Sequence, residues 1–202
     1  MSTTIVHLVR HGEVHNPAQI LYGRLPNFHL SSRGASQAAA TASAFADHDV
    51  TYLAASPLTR AQETARPFVE VTGLPVETDE DLIESWNTYE GLRTKGWRSE
   101  LIKPKHWLQM RRPAEPSWGE PYPEILARMM DAVERARLAA EGHEAILVSH
   151  QLPIVTVQRS VRELPLPHAP WRRECDLASV SSLVFRDGEI AGIYYSTPAR
   201  EI

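Results

Sequence analysis

Residues 5–13 read Ile5-Val6-His7-Leu8-Val9-Arg10-His11-Gly12-Glu13. The first five make a short apolar run of strand length, which fits a central strand covered on both faces. The run stops at Arg10-His11-Gly12. A cation, an imidazole and a glycine therefore fall at the strand's C-terminal edge, where open α/β sheets bind ligands. A second junction of the same kind comes late in the chain: Ala145-Ile146-Leu147-Val148 reads as another buried strand, and Ser149-His150 follows it.

Between these junctions the pattern alternates. Gly34 opens a helix with Ala35, Ala38, Ala39, Ala42 and Phe45 at helical spacing, a small-residue face suited to a sheet. Val50–Ala55 reads as a strand. Ser56-Pro57 then looks like a helix start, the hydroxyl capping and the proline at the first position, and Gly73-Leu74-Pro75 stops that helix. From Pro121, Ile125, Met129, Ala132, Val133, Ala136 and Ala140 mark a further helix that Gly142 ends. Leu152–Val161 forms the last helix. Val180–Phe185 and Ile190–Tyr195, joined through Arg186-Asp187-Gly188-Glu189, read as an antiparallel hairpin. The alternation predicts an α/β sandwich. Residues 79–119 hold Trp86, Trp97, Trp107 and Trp118 without a clean period. They are expected to form a lid or side lobe within a single 1–202 domain, with short helices over Asp81–Trp86 and Lys103–Met110.

Composition narrows the function classes. The 202 residues suffice for one sizeable core, and 43% hydrophobic with 23% charged residues argues against a disordered chain. A net charge of -4 gives no reason to expect nucleic acid or an anionic membrane as partner. Cys175 is the one cysteine, so an intramolecular disulfide is impossible and a reducing cytoplasm is the natural location. No apolar run approaches the roughly 20 residues that cross a bilayer. Met1–Arg10 reads as the first strand and not as a targeting peptide.

If the two junction strands are parallel neighbours, His11 and His150 meet at one sheet edge. A neutral imidazole near pH 7 is a competent nucleophile, and attack on a phosphoryl group would give a phosphohistidine. Its other ring nitrogen would need a fixed acceptor, for which a backbone carbonyl is expected. Arginine forks suit the phosphoryl oxygens. Arg10 adjoins His11, and Arg60 lies in the first turns after Ser56-Pro57. For the proton that the leaving oxygen needs, Glu13, Glu84 and Glu90 are candidates that spacing does not rank. A metal centre from His7, His11, His15 and His29 would need a helix where the sequence reads strand and then loop. No glycine-rich phosphate loop is present.

Arg10-His11-Gly12-Glu13 with Asn16 resembles the signature of the histidine phosphatase superfamily, which includes the cofactor-dependent phosphoglycerate mutases. The likeness continues through Leu30-Ser31-Ser32-Arg33-Gly34, Ser56-Pro57-Leu58-Thr59-Arg60-Ala61-Gln62-Glu63-Thr64-Ala65, Leu82-Ile83-Glu84 with Glu90-Gly91, and Val148-Ser149-His150. It implies a three-layer α/β/α sandwich with a mixed, mostly parallel sheet. It implies His11 as nucleophile and Arg10, Arg60, His150 and Asn16 as the phosphate pocket, His150 being cationic once phosphate is bound. Glu84 is implied as proton donor, Glu90 as a supporting residue, and Glu13 as an anchor for the loop or a hydrogen-bond partner for the basic pocket. Three positions depart from the pattern: Asn27 where aspartate is common, Pro121 after Gly119-Glu120 where serine is common, and Gln151 where glycine is frequent.

The short 79–119 region favours a phosphatase over a mutase, which must hold a second phosphate away from water. Substrate contacts are expected from Tyr22, Gly23, Arg24, Trp86, Tyr89, Arg93, Trp97 and Arg98, with a C-terminal contribution from Cys175–Ser179. Aromatics beside arginines suit a sugar phosphate, a phosphoglycerate-like acid or a nucleotide. No cofactor and no metal are implied, and a homodimer is possible. The competing classes are a mutase, a metal-dependent phosphoesterase that chelation would silence, and a non-catalytic binding protein with this fold.

Overall fold

A computed structural model describes residues 2–93 and 119–202. Its centre is a six-stranded sheet built from β1 (Thr3–Arg10), β2 (Val50–Ala55), β3 (Glu77–Thr78), β4 (Glu144–Ser149), β5 (Val180–Arg186) and β6 (Glu189–Ser196), in the spatial order β3-β2-β4-β1-β5-β6. β1, β2, β3 and β4 are parallel, with Val9 opposite Val148 and Arg10 opposite Ser149. β5 pairs antiparallel with β1, and β6 completes that edge antiparallel to β5 after a two-residue turn at Asp187 (φ 51°) and Gly188 (φ 86°), a primed geometry that matches strand twist.

Both faces of the parallel strands are covered, which explains their unbroken apolar runs. Period-two alternation splits each run between two cores. Val9, Leu53, Ala55, Ile146 and Val148 pack with Ala42, Phe45, Ala61 and Phe68 of the layer formed by α1 (Ser32–Ser43) and α2 (Thr59–Thr72). Val6, Leu8, Ala54, Ala145 and Leu147 pack with Ile125, Met129, Ile154 and Val157 of α3 (Tyr122–Ala139) and α4 (Gln151–Val161). The expected α/β/α sandwich with a mixed, mostly parallel sheet is the observed fold.

Local expectations fail in three places. Helix α1 begins two residues before Gly34, because Ser31 Oγ caps it by accepting from Gly34 N at 3.0 Å. Ser56 does not cap α2. Its backbone N–H donates to Val148 O at 2.9 Å, which keeps residue 56 on the sheet edge, and the helix starts after Leu58 without a side-chain cap. The short helix expected over Asp81–Trp86 is one 3-10 turn, Glu80–Leu82, capped by Asp79. The helix expected over Lys103–Met110 lies outside the described residues. Gly73 (φ 72°) closes α2 in the left-handed conformation as expected.

Candidate active site

β4 lies between β1 and β2, so the C-terminal ends of all three strands deliver Arg10-His11, Ser56 and Ser149-His150 to one edge. The loop after β1 is held from four directions. His11 N donates to Ser149 O at 3.1 Å, Gly12 N to Thr64 Oγ1 at 3.1 Å, Glu13 N to Gln37 Oε1 at 3.0 Å, and Ser31 N to Glu13 O at 2.8 Å. The packing leaves no room for a side chain at Gly12, where a Cβ would stand 2.5 Å from Gly34 O. Glu13 accepts from Ser31 Oγ and Arg33 and so anchors this loop.

His11 is buried, and its Nδ1 lies 2.8 Å from Gly12 O. A carbonyl only accepts, so Nδ1 carries the proton and Nε2 keeps its lone pair. Burial, reinforced by Arg60 and Arg10, pushes the His11 pKa well below its ordinary value and keeps the ring neutral. The His150 ring is centred 5.2 Å from that of His11. Its Nδ1 lies 3.2 Å from Arg60 Nη2 and its Nε2 2.8 Å from Ser56 Oγ. Burial first, then Arg60 and His11, push its pKa well down.

The two arginines are fixed by backbone carbonyls. Arg10 Nη1 donates to Cys175 O at 2.6 Å, and Arg60 Nη2 to Gly23 O at 2.7 Å. Arg60 is 1% exposed and stacks 4.8 Å from the Tyr22 ring centroid. Arg10 Nε and Arg60 Nε are buried and find no hydrogen-bond partner among the described residues. Leaving two charged donors unpaired is costly unless an oxyanion serves them. The arrangement can hold a tetrahedral oxyanion against a neutral imidazole nitrogen.

A cleft of about 720 Å³ opens beside it, and Arg10, His11, Tyr22, Glu84, Trp86 and Arg173 are among the residues on its wall. Glu84 is placed by its backbone: Arg24 Nε donates to Glu84 O and Arg128 Nη1 to Ile83 O. Glu120, 6% exposed, ties those two arginines together by accepting from Arg24 Nη2 and from Arg128 Nε and Nη2. Glu90 supports the Gly23 turn (φ 38°) by accepting from Arg24 N and Asn87 N.

Several expected contacts are placed elsewhere. Arg24 is engaged in that strut and does not line the cleft; nor do Tyr89, which is buried, and Arg93, whose Nε donates to Ala18 O. Asn16 closes its own loop, giving Nδ2 to Ile20 O and accepting Ile20 N at Oδ1. His29 pairs with Glu63. Trp97 and Arg98 lie outside the described residues.

The C-terminal wall comes from residues 167–173 and not from 175–179: Pro167, His168, Trp171 and Arg173 line the cleft, while Cys175 is buried with its thiol pushed up to about 11 by desolvation. Arg173 donates to His168 Nε2 and Gln151 Oε1. Ser56 and Gln151 enter the sequence analysis only as a helix cap and as a departure from the family pattern, and Trp171 and Arg173 do not enter it. The run Trp171-Arg172-Arg173, an aromatic beside two arginines, is the usable local signal.

The model of the histidine phosphatase superfamily (branch 1) matches residues 6–195. The chain belongs to that superfamily. This histidine phosphatase is 54% identical over 196 residues to an uncharacterized Mycobacterium tuberculosis protein, Rv0525, covering 97% of each chain. Its fold superposes on a mycobacterial glucosyl-3-phosphoglycerate phosphatase, Rv2419c, with a TM-score of 0.77 and 25% identity, covering 96% of this chain and 98% of that one. A phosphoglycerate mutase from Bacillus anthracis shares the fold at a TM-score of 0.69 and 20% identity, covering 97% and 92%.

Proposed function

We propose that this histidine phosphatase hydrolyses phosphomonoesters of small metabolites through a phosphoryl group carried on His11 Nε2. One observation carries the reading: a buried imidazole whose tautomer Gly12 O fixes, beside two arginines whose buried Nε–H groups lack partners among the described residues. In the first step the Nε2 lone pair attacks phosphorus and the bond to the ester oxygen breaks. Glu84 gives its proton to that oxygen, and the alcohol leaves. In the second step Glu84 takes a proton from water, the hydroxide attacks phosphorus, and the N–P bond breaks. His11 returns to its neutral form and phosphate leaves. Arg10 and Arg60 hold the equatorial oxygens throughout, and such fixed donors supply much of the rate in phosphoryl transfer. His150 takes up a proton as the anion arrives, because the added negative charge offsets the burial that keeps it neutral. Asn16 can join with its second Nδ2 hydrogen. None of these steps needs a metal ion.

The cleft volume falls within the range of small-molecule sites. The exposed rings of Trp86 and Trp171 beside Arg173 favour a leaving group with a flat or sugar-like face and an acceptor for the guanidinium. The activity named for the glucosyl-3-phosphoglycerate phosphatase is of this type. Residues 79–119 serve as the side lobe over the cleft in this reading, which Trp86, Asn87 and Gly119 on its wall support.

The test is a panel of phosphate esters assayed with and without chelator, together with an alkaline denaturing quench of enzyme turned over on radiolabelled ester, which preserves the N–P bond until acid is added. Turnover in chelator and an acid-labile adduct are expected, and both should vanish in His11→Ala. Normal turnover in that variant would refute the mechanism. Rapid exchange between phosphoglycerate isomers with little free phosphate released would move the assignment to a mutase.

A further inference from the structure

A second group of chemically capable side chains meets near the other end of the strands. His7 Nε2 lies 2.8 Å from Glu144 Oε2, and His48 Nδ1 lies 2.7 Å from the same oxygen. The three ligand atoms fall within 4.8 Å of one another. Glu144 opens β4 opposite Ile5, six residues before His150, and so sits on the order of 20 Å from the phosphate site at strand rise. No residue is shared between the two places.

Three separate elements build the cluster. His7 is on the face of β1 that packs under α1 and α2, Glu144 starts β4, and His48 comes from the connection between α1 and β2. That connection is fastened by His48 N to Phe45 O at 3.1 Å and by Glu144 N to Asp49 O at 3.0 Å. The outer nitrogen of His7 is also held, with Nδ1 2.8 Å from Ser182 Oγ. A hydroxyl can accept as well as donate, so Ser182 supports the tautomer that leaves Nε2 free. Metal-bound imidazoles are oriented this way by a partner on the nitrogen that does not bind.

Phe45 packs against both rings, at 4.9 Å from His7 and 4.8 Å from His48, and gives the cluster an apolar wall. Exposure rises outward, from 5% at the His7 side chain through 18% at Glu144 to 42% at His48. The inner ligands are thus shielded, and one side remains open to water. Two imidazoles and one carboxylate with a water position suit Zn²⁺, whereas magnesium and calcium call for oxygen ligands. Metal bonds of about 2.0–2.2 Å require the Glu144 oxygen to draw back from each nitrogen by roughly half an ångström and the two nitrogens, within 4.8 Å of one another, to close on the ion. The exposed His48 side chain can provide that movement, and each neutral ring keeps its proton on the nitrogen that does not bind.

We propose that His7 Nε2, His48 Nδ1 and the Glu144 carboxylate bind one Zn²⁺, with water completing the tetrahedron. The ion fastens the connection between α1 and β2 to β1 and β4, and it takes no part in phosphoryl transfer. The proposal does not depend on the phosphatase mechanism, and its test reads binding and not turnover.

Chelator-treated full-length protein is titrated with Zn²⁺ by calorimetry and with Co²⁺ by visible absorption. One equivalent should bind at micromolar concentration or tighter, with the intense visible bands of tetrahedral Co²⁺ and a higher Tm in Zn²⁺. His11→Ala should bind as the parent does. His48→Ala, altered at an exposed position, should bind at least tenfold more weakly and lose the Co²⁺ bands. Ser182→Ala should weaken binding by about 10–100-fold if the hydroxyl orients His7. Absence of a stoichiometric site, undiminished binding by both His48→Ala and Glu144→Gln, or loss of the site in His11→Ala would each overturn the proposal.

Discussion

Arg60 Nη2 lies 3.2 Å from His150 Nδ1 and donates to it. A guanidinium has no lone pair to offer, so Nδ1 is the acceptor and the imidazole proton sits on Nε2, facing Ser56 Oγ at 2.8 Å. An arginine and a histidine, both assigned to the phosphate pocket in the proposed mechanism, therefore satisfy each other in the free protein. They do so only with the ring neutral, the state that burial also enforces. Ser56, which the sequence suggested as a helix cap, is the residue that completes this arrangement.

Ser56→Ala leaves the His150 Nε2–H buried without its acceptor. We expect a loss of about 1–3 kcal/mol in urea unfolding, with Ser56→Thr restoring most of it. A loss indistinguishable from zero would mean that the contact does not constrain His150.

The two buried histidines give the free protein an acid-sensitive stability. Both pKa values are lowered by folding, so between the folded and unfolded values the unfolded chain binds more protons, and stability rises with pH. The contribution is complete above the unfolded value of about 6.5 and declines below it, with a slope of up to about 1.4 kcal/mol per pH unit for each histidine. Urea titrations from pH 7.5 down to 5.5, where carboxylates stay ionised, should show the decline. Saturating orthophosphate should flatten it, since a bound anion recovers the protonated rings. Identical slopes with and without phosphate would argue that His11 and His150 do not face the anion.

Glu84→Gln separates proton donation from phosphate binding. For alkyl phosphates, whose alkoxides leave poorly, kcat should fall by about 10²–10⁴-fold. For p-nitrophenyl phosphate, whose leaving oxygen needs no proton, the fall should be far smaller. Equal losses on both substrates would remove Glu84 from the donor role.

Arg60→Lys keeps the charge and loses the fork. Lysine cannot hold Gly23 O, face His150 Nδ1 and present a further N–H as Arg60 does. A drop in kcat/KM of about 100-fold or more is expected, together with a lower unfolding midpoint, because Gly23 O and His150 Nδ1 lose a buried donor. Near-normal kinetics would show that only charge matters at this position.

Gly34→Ala tests the seat of the His11 loop. A Cβ there would stand 2.0 Å from Glu13 O, a backbone atom held by Ser31 N. Overpacking of this kind costs about 1–3 kcal/mol, read as a lower urea midpoint, and turnover should fall with it as the loop shifts. An unchanged midpoint would mean that α1 slides away from the loop freely.

Much of the scaffold is written locally. Val50–Ala55, the Ala145–Val148 run and the Asp187-Gly188 turn could be placed because strand burial and turn conformation are properties of a few adjacent residues. His11 and His150 could be paired because both follow apolar strands. Other parts were not legible because each depends on a partner far along the chain. Arg24 looks like any loop arginine until Glu84 O and Glu120 are beside it. Trp171 and Arg173 are the one local hint near residues 167–173, and only the fold says that these residues share a cleft with Tyr22.

The sequence alone determined the α/β alternation and the strand ends carrying Arg10-His11 and Ser149-His150, since apolar period and glycine position act over short range. The tertiary structure decided which side chains became neighbours. Inserting β4 between β1 and β2 aligned three strand ends at one edge and brought His7, His48 and Glu144 together near the other. Strand order and register are collective outcomes of packing two cores on one sheet, and no single segment encodes them.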